Sequence, residues 1–220
     1  MRSRLTEAYL PIDIGAMRPA GFHTEKYESV RRCCEKVDKG SGWRLIESCP
    51  VCQGSERHNL MHKCGIDIVQ CTNCLLGYST MFPVDLADVY SDQSYLDQAR
   101  HDYEDNILYR MERFAKERTQ ILVKWLNKSP EDCQLLDVGC GTGWFIEVPR
   151  QQAFTVSGHA PGARFDANTA QRLGVKIWTC DLVDIVPKSL FNVVTMFDVL
   201  EHTPDPLTVL KQVEQLLVPG

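Results

Sequence analysis

The sequence predicts an α/β protein, a doubly wound parallel sheet of about four strands preceded by a small cysteine-rich module. Three observations lead there. From about residue 103 onward, apolar runs of strand length alternate with stretches of helical periodicity. Within them, Leu135 to Gly143 reads LLDVGCGTG, a buried-strand pattern closing on an aspartate and three alternating glycines, which suits a turn where a nucleotide-type ligand lies against backbone. Upstream, Cys49, Cys52, Cys71 and Cys74 are spaced as C-x2-C, eighteen residues, C-x2-C, a metal-ligand spacing.

Composition bounds the rest. A chain of 220 residues holds one sizeable domain, or a core domain with a smaller module before it. The apolar share of 44% and charged share of 24% are those of a soluble globular protein. Its sequence has no apolar run approaching the roughly 18 residues that span a bilayer, and its start does not resemble a secretory signal. A cytoplasmic protein without a membrane partner is therefore expected. The net charge of −5 gives no global push toward nucleic acid. In a reducing compartment ten cysteines are metal ligands or buried thiols before they are disulfides. Beyond the four paired ones, Cys33, Cys34, Cys64, Cys133, Cys140 and Cys180 show no comparable spacing.

Taken in order, residues 1–45 mix charges, glycines and prolines without a sustained period and predict an extended lead-in. Residues 46–78 form the cysteine module. Each C-x2-C pair presents two thiolates from a tight turn, and two such turns complete a closed tetrahedral zinc site with no open position for chemistry. IDIVQC between the pairs reads as a strand, so the module resembles a zinc ribbon whose folding depends on the metal. His58, His62 and Cys64 lie between the pairs, but the four cysteines already fill the shell.

Residues 79–102 carry an acidic run with Tyr90 and Tyr95 and are expected to be a linker with short helical turns. DNILYRMERFAKERTQILVKWLNK then predicts one long amphipathic helix, stopped by Ser129 and Pro130. After the glycine turn a helix from Trp144 should end or kink at Pro149. Phe154–Gly158 is a second strand, Ala163–Leu173 a helix closed by Gly174, and Val175–Thr179 a third strand ending near Asp181. Leu190–Phe197 is a fourth strand. Asp205 and Pro206 then start a helix carrying Leu207, Leu210, Val213 and Leu217. Ligands of such a sheet bind beyond the carboxyl ends of its strands.

LLDVGCGTG, an acidic position closing strand three, and FDVLEHTPDP closing strand four together resemble the class I S-adenosylmethionine-dependent methyltransferases, with their Rossmann-like sheet. The preceding CPVC and CTNC resemble the subgroup with an N-terminal zinc ribbon, and residues 103–220 then correspond to a partial methyltransferase domain. The resemblance implies two cofactors, S-adenosylmethionine and a structural Zn2+. It places Gly139, Gly141 and Gly143 against the methionine and ribose portions, Asp137 at the methionine amino group, Asp181 at the adenine amino group, and Phe197 and Asp198 beside the methionine end. Read without the resemblance, Asp181 is equally a helix cap and Phe197 simple core. His202, after strand four, is the candidate general base, with an unperturbed pKa near operating pH; it serves equally as a hydrogen-bonding loop residue.

Two departures from the family pattern stand out. Strand two normally ends in an acid that accepts both ribose hydroxyls, whereas VSGHAPGA offers His159 and Ala160. Losing such a pair costs about 1.5–3 kcal/mol of binding, so weakened cofactor affinity is expected. The chain also stops at LLVPG where the family usually continues into a fifth strand of seven. That implies a truncated product whose strand-four edge is open to self-association, and it puts activity in doubt. The expected function is methyl transfer to a small-molecule acceptor of sugar or secondary-metabolite type. Two alternatives are an RNA methyltransferase that grips its substrate with the ribbon, and a non-enzymatic zinc-binding scaffold with a decayed methyltransferase domain.

Overall fold

The computed structural model describes residues 11–18, 24, 27–28, 31–32, 35, 42–84, 106–161 and 170–219. Cys33, Cys34, Tyr90, Tyr95, the acidic run beyond Val84 and the first part of the helix expected at Ala163–Leu173 lie outside the described residues. Among the described residues no helix is long and apolar enough to cross a membrane.

A four-residue helix α1 (Ile14–Met17) is capped by Asp13, whose carboxylate accepts from the Ala16 amide. The cysteine module follows as two small antiparallel sheets. In one, β1 (Trp43–Leu45) pairs with β5 (Met81–Pro83). In the other, β3 (Ile66–Cys71) lies between β2 (Arg57–Lys63) and β4 (Gly77–Ser79). β3 is the IDIVQC strand the sequence predicts. Residues 79–83, expected to open a linker, instead belong to the module, since Ser79 ends β4 and Met81–Pro83 closes back on Trp43–Leu45.

The expected long helix is present with one irregularity. It runs as α2 (Ile107–Arg110), a π turn over Met111–Ala115, and α3 (Lys116–Trp125). Leu126 adopts extended backbone, ending the helix ahead of Ser129 and Pro130.

Four parallel strands form the main sheet in the order β8-β7-β6-β9. These are β6 (Gln134–Val138), β7 (Thr155–His159), β8 (Lys176–Trp178) and β9 (Val193–Met196). Residues of β6 alternate between two cores. Leu135 faces the cluster of Phe145, Ile146, Val156 and Leu173, while Leu136 and Val138 face Ile185, Phe191 and Leu216. Both faces being buried explains why the strand reads as a continuous apolar run.

Helix α4 (Trp144–Gln151) follows the glycine turn. Pro149 neither ends nor visibly breaks it at once; the ring is fully buried and the helix continues two residues further. The proline removes only one late hydrogen bond, and the next amides, from Gln152, close onto Val148 and Pro149 carbonyls. Gly174, at φ +62°, closes the helix whose last turn ends at Leu173, its amide donating to the Ala170 carbonyl at 2.8 Å. Helix α5 (Pro206–Leu216) starts as its sequence dictates, with Pro206 in the first turn and Asp205 Oδ1 accepting from the Thr208 amide at 3.0 Å. β9 is shorter than the Leu190–Phe197 run and occupies an outer position in the sheet. Just before it, Phe191 forms a parallel bridge with Leu217.

Candidate cofactor and metal sites

The parallel register sets the first site. Asp137 on β6 lies opposite Gly158 on β7 and Thr195 on β9, one residue from the carboxyl end of the strand. Immediately beyond it Gly139, Gly141 and Gly143 take φ values of +70°, +49° and +74°, the left-handed region that favours glycine. Close packing adds a second reason at Gly139, where a Cβ would stand 2.5 Å from Val199 Cγ2. At Gly141 a Cβ would meet nothing within 4 Å, so the middle of the turn has open space beside it. Gly143 is also the residue before α4, whose first amides have no intrahelical partner.

Asp137 is 3% exposed, and its Oδ1 accepts a 2.7 Å hydrogen bond from Thr195 Oγ1. Burial pushes its carboxyl up to about 7, against the opposing pull of the Thr195 hydrogen bond and the Arg118 charge. Arg118 comes from α3. Its guanidinium lies 3.9 Å from the centre of the Phe197 ring and 5.4 Å from that of Trp144. Its Nη1 is buried without a hydrogen-bond partner. Burial pulls the pKa of Arg118 down, while the charges of Asp198 and Asp137 pull it up. A half-buried cation stacked on aromatics, with a buried free donor and two carboxylates near, has the chemistry to receive a zwitterion. The donor suits a carboxylate and the acids suit an ammonium.

Phe197 packs edge-to-face on Phe145 with centroids 4.8 Å apart, so it is both a core contact and a wall of this site. Asp198 follows it at φ +57°, an uncommon conformation for a non-glycine residue. Asp181 is exposed and precedes the short turn Leu182–Asp184, but its side chain makes no capping hydrogen bond. The capping alternative is therefore not realised. Glu201 and His202 are exposed on the turn Leu200–His202 after β9. At the end of β7, His159 and Ala160 are both buried, at 5% and 8% exposure, and neither offers a carboxylate.

The structure thus brings Asp137, the glycine turn, Phe197 and Asp198 together at the carboxyl end of the sheet. Arg118 and Thr195 join the site without belonging to any of its motifs. A threonine in the otherwise apolar VVTM run was the available signal for one. Arg118 had no such signal, since an arginine on an amphipathic helix reads as a solvated face.

The second site is the cysteine cluster. One ligand atom from each of Cys49, Cys52, Cys71 and Cys74 lies within 4.8 Å of the others. The Sγ pairs Cys49–Cys74 and Cys52–Cys71 stand 3.5 and 3.4 Å apart. A tetrahedral ion with about 2.3 Å bonds to sulfur has sulfurs about 3.8 Å apart, so the four thiols fit zinc with only small adjustment. The Cys74 amide, with help from Cys52 and the Asn73 amide, brings the Cys71 thiol down to about 7. The Cys52 thiol facing it is pushed up to about 12 by its thiol neighbours, so without an ion the negative charge of this pair sits on Cys71. His62 is engaged elsewhere, its Nδ1 2.6 Å from Asp67 Oδ1.

A family model described as "Methyltransferase domain" matches residues 95–220. Ubiquinone biosynthesis O-methyltransferase of Pseudomonas syringae pv. tomato is 34% identical over 96 residues, 40% of each chain. The same enzyme of Pseudomonas entomophila is 33% identical over 109 residues, 44% of this chain and 46% of its own. The chain thus spans less than half the length of these curated relatives. Among solved structures, the amino pentose methyltransferase CalS10 of Micromonospora echinaspora, with S-adenosylmethionine bound, is similar over 51% of each chain at 24% identity and a TM-score of 0.43. Magnesium protoporphyrin IX methyltransferase from Synechocystis PCC 6803, also with S-adenosylmethionine bound, is similar over 60% of this chain and 70% of its own, at 21% identity and a TM-score of 0.47.

Proposed function

Given that the chain belongs to the methyltransferase-domain family of class I S-adenosylmethionine-dependent enzymes, we propose that it binds S-adenosylmethionine at the β6 turn. It passes the methyl group to a small-molecule acceptor of sugar or secondary-metabolite type. The observation that carries this reading is the partnerless buried donor of Arg118, set between Phe197, Asp137 and Asp198 beside the open glycine turn.

When bound, the cofactor supplies an already electrophilic methyl on a sulfonium, so the protein has to bind, orient and exclude water. Arg118 takes the methionine carboxylate, and Asp137, once ionised, takes the ammonium. Gly139 and Gly141 let backbone approach the methionine and ribose, and Asp181 receives the adenine amino group. His202 is the residue proposed to take a proton from the acceptor. The names of the curated relatives favour an oxygen acceptor. Cys49, Cys52, Cys71 and Cys74 hold a structural Zn2+ that closes the module and leaves no position for chemistry.

Calorimetry with S-adenosylhomocysteine tests the cofactor half of the proposal. Saturable binding by the wild-type chain, lost in Arg118→Ala, is the expected result, and no binding at millimolar ligand would sink it. Transfer of labelled methyl to a panel of hydroxylated sugars and phenols tests the acceptor class. His202→Ala with unchanged turnover removes the base role.

A further inference from the structure

His159 stands at a junction of the cofactor site. Its backbone carbonyl accepts the Cys140 amide of the glycine turn at 2.9 Å, and its imidazole Nε2 lies 3.0 Å from the Cys180 carbonyl, immediately before Asp181. A carbonyl only accepts, so Nε2 carries the hydrogen and Nδ1 is a bare acceptor. That Nδ1 is buried without a partner. Burial holds the pKa of His159 below its ordinary value, with the Cys180 carbonyl and Asp181 opposing, and the ring is neutral at pH 7.

The neighbouring ladder is complete without this side chain. Ala160 donates its amide to the Trp178 carbonyl at 2.9 Å, continuing the β7–β8 pairing. β8 is short, ending at Trp178, and the strand ladder does not reach Cys180 and Asp181. The imidazole bond ties the end of β7 to Cys180, whose side chain also packs against the second core. Asp181 spends no side-chain bond on its own turn, so its carboxylate is placed by backbone held on one side by the His159 bond to Cys180 and on the other by the Asp184 amide, which donates to the Asp181 carbonyl at 3.0 Å.

We propose that His159 is a positioning residue for the adenine end of the cofactor site, setting where the Asp181 carboxylate stands relative to the glycine turn. The inference rests on the S-adenosylmethionine reading above and assigns a task to a residue that replaces none of the expected ribose contacts. With Ala160 at the ribose position, recognition of the nucleoside shifts toward the base, and the His159–Cys180 bond keeps that recognition sharp.

The test compares S-adenosylhomocysteine with S-inosylhomocysteine, which carries an oxygen in place of the adenine amino group. The wild-type chain should prefer the amino form. His159→Ala should cut that preference about tenfold, the worth of one well-placed hydrogen bond, while leaving the affinity for the inosyl ligand nearly unchanged. His159→Gln, whose amide nitrogen reaches as far as Nε2, should restore it. A general loss of structure would weaken both ligands alike, so the ratio isolates positioning from stability. An unchanged ratio in folded His159→Ala overturns the proposal. Should that variant not fold, Asp181→Ala decides, since a retained amino preference there also overturns it. Failure of the wild-type chain to bind either ligand would instead overturn the cofactor reading itself.

Discussion

With the cofactor ammonium against Asp137, as proposed, binding is coupled to protons. The Asp137 carboxyl is raised to about 7 by burial, about three units above an ordinary aspartate. In the free protein it is therefore close to half protonated at neutral pH. A ligand ammonium placed against it favours the charged form and brings the pKa back toward about 4. Binding at pH 7 should then release about half a proton, and affinity should fall about fiftyfold between pH 7 and pH 5. S-adenosylhomocysteine is the suitable probe, because its amine stays protonated through that range. Calorimetric titrations in buffers of different ionisation enthalpy read the released proton directly, and Asp137→Asn should abolish both the release and the pH dependence. Stability follows the opposite sign. The folded-state pKa is raised, so the free protein holds the full contribution of neutral Asp137 below about pH 4 and loses it as pH rises through 7, by roughly 4 kcal/mol. Proton-neutral binding at pH 7, with affinity flat from pH 5 to 7, would refute the placement of the ammonium at Asp137.

Other perturbations give equally direct outcomes. Ala160→Asp supplies the carboxylate missing from the end of β7, and should raise cofactor affinity by about one to two decades; unchanged calorimetric affinity in a folded variant counts against a ribose site there. Gly139→Ala meets both an unfavourable φ of +70° and Val199 Cγ2 at 2.5 Å, and should cost roughly 1–3 kcal/mol in denaturant unfolding. Gly141→Ala, at φ +49° with open space around it, should cost about 1 kcal/mol. Removing zinc with a chelator, or changing Cys71 to Ser, should melt the β1–β5 module selectively; unaltered circular dichroism and thermal unfolding after metal removal would show that the cluster folds without an ion.

Those outcomes also separate what the residues announce from what only packing reveals. Strand β6, its glycine turn, the four-cysteine cluster and the Asp205 cap depend on local spacing, and local spacing is written in the sequence. Arg118 belongs to the site because a helix starting about 30 residues upstream lays against Trp144 and Phe197, and no periodicity states which helical arginine will be covered. Pro149 misleads for a related reason. Near a helix end its missing amide removes only one bond, and tertiary burial of the ring outweighs the local penalty. The bond from His159 to Cys180 depends on β7 and β8 lying side by side in one register, which follows from topology rather than from either strand alone.

The π turn at Met111–Ala115 has a geometric consequence for the residues flanking it. Eight steps of a regular α-helix advance about 800°, leaving Arg110 and Arg118 about 80° out of phase. Widening one turn by a residue takes back about 100°, so the mismatch shrinks to about 20°. Both guanidinium carbons accordingly lie over the same indole, 6.0 and 5.4 Å from the centre of the Trp144 ring. The turn works as a phase corrector, aiming two arginines eight residues apart in nearly one direction.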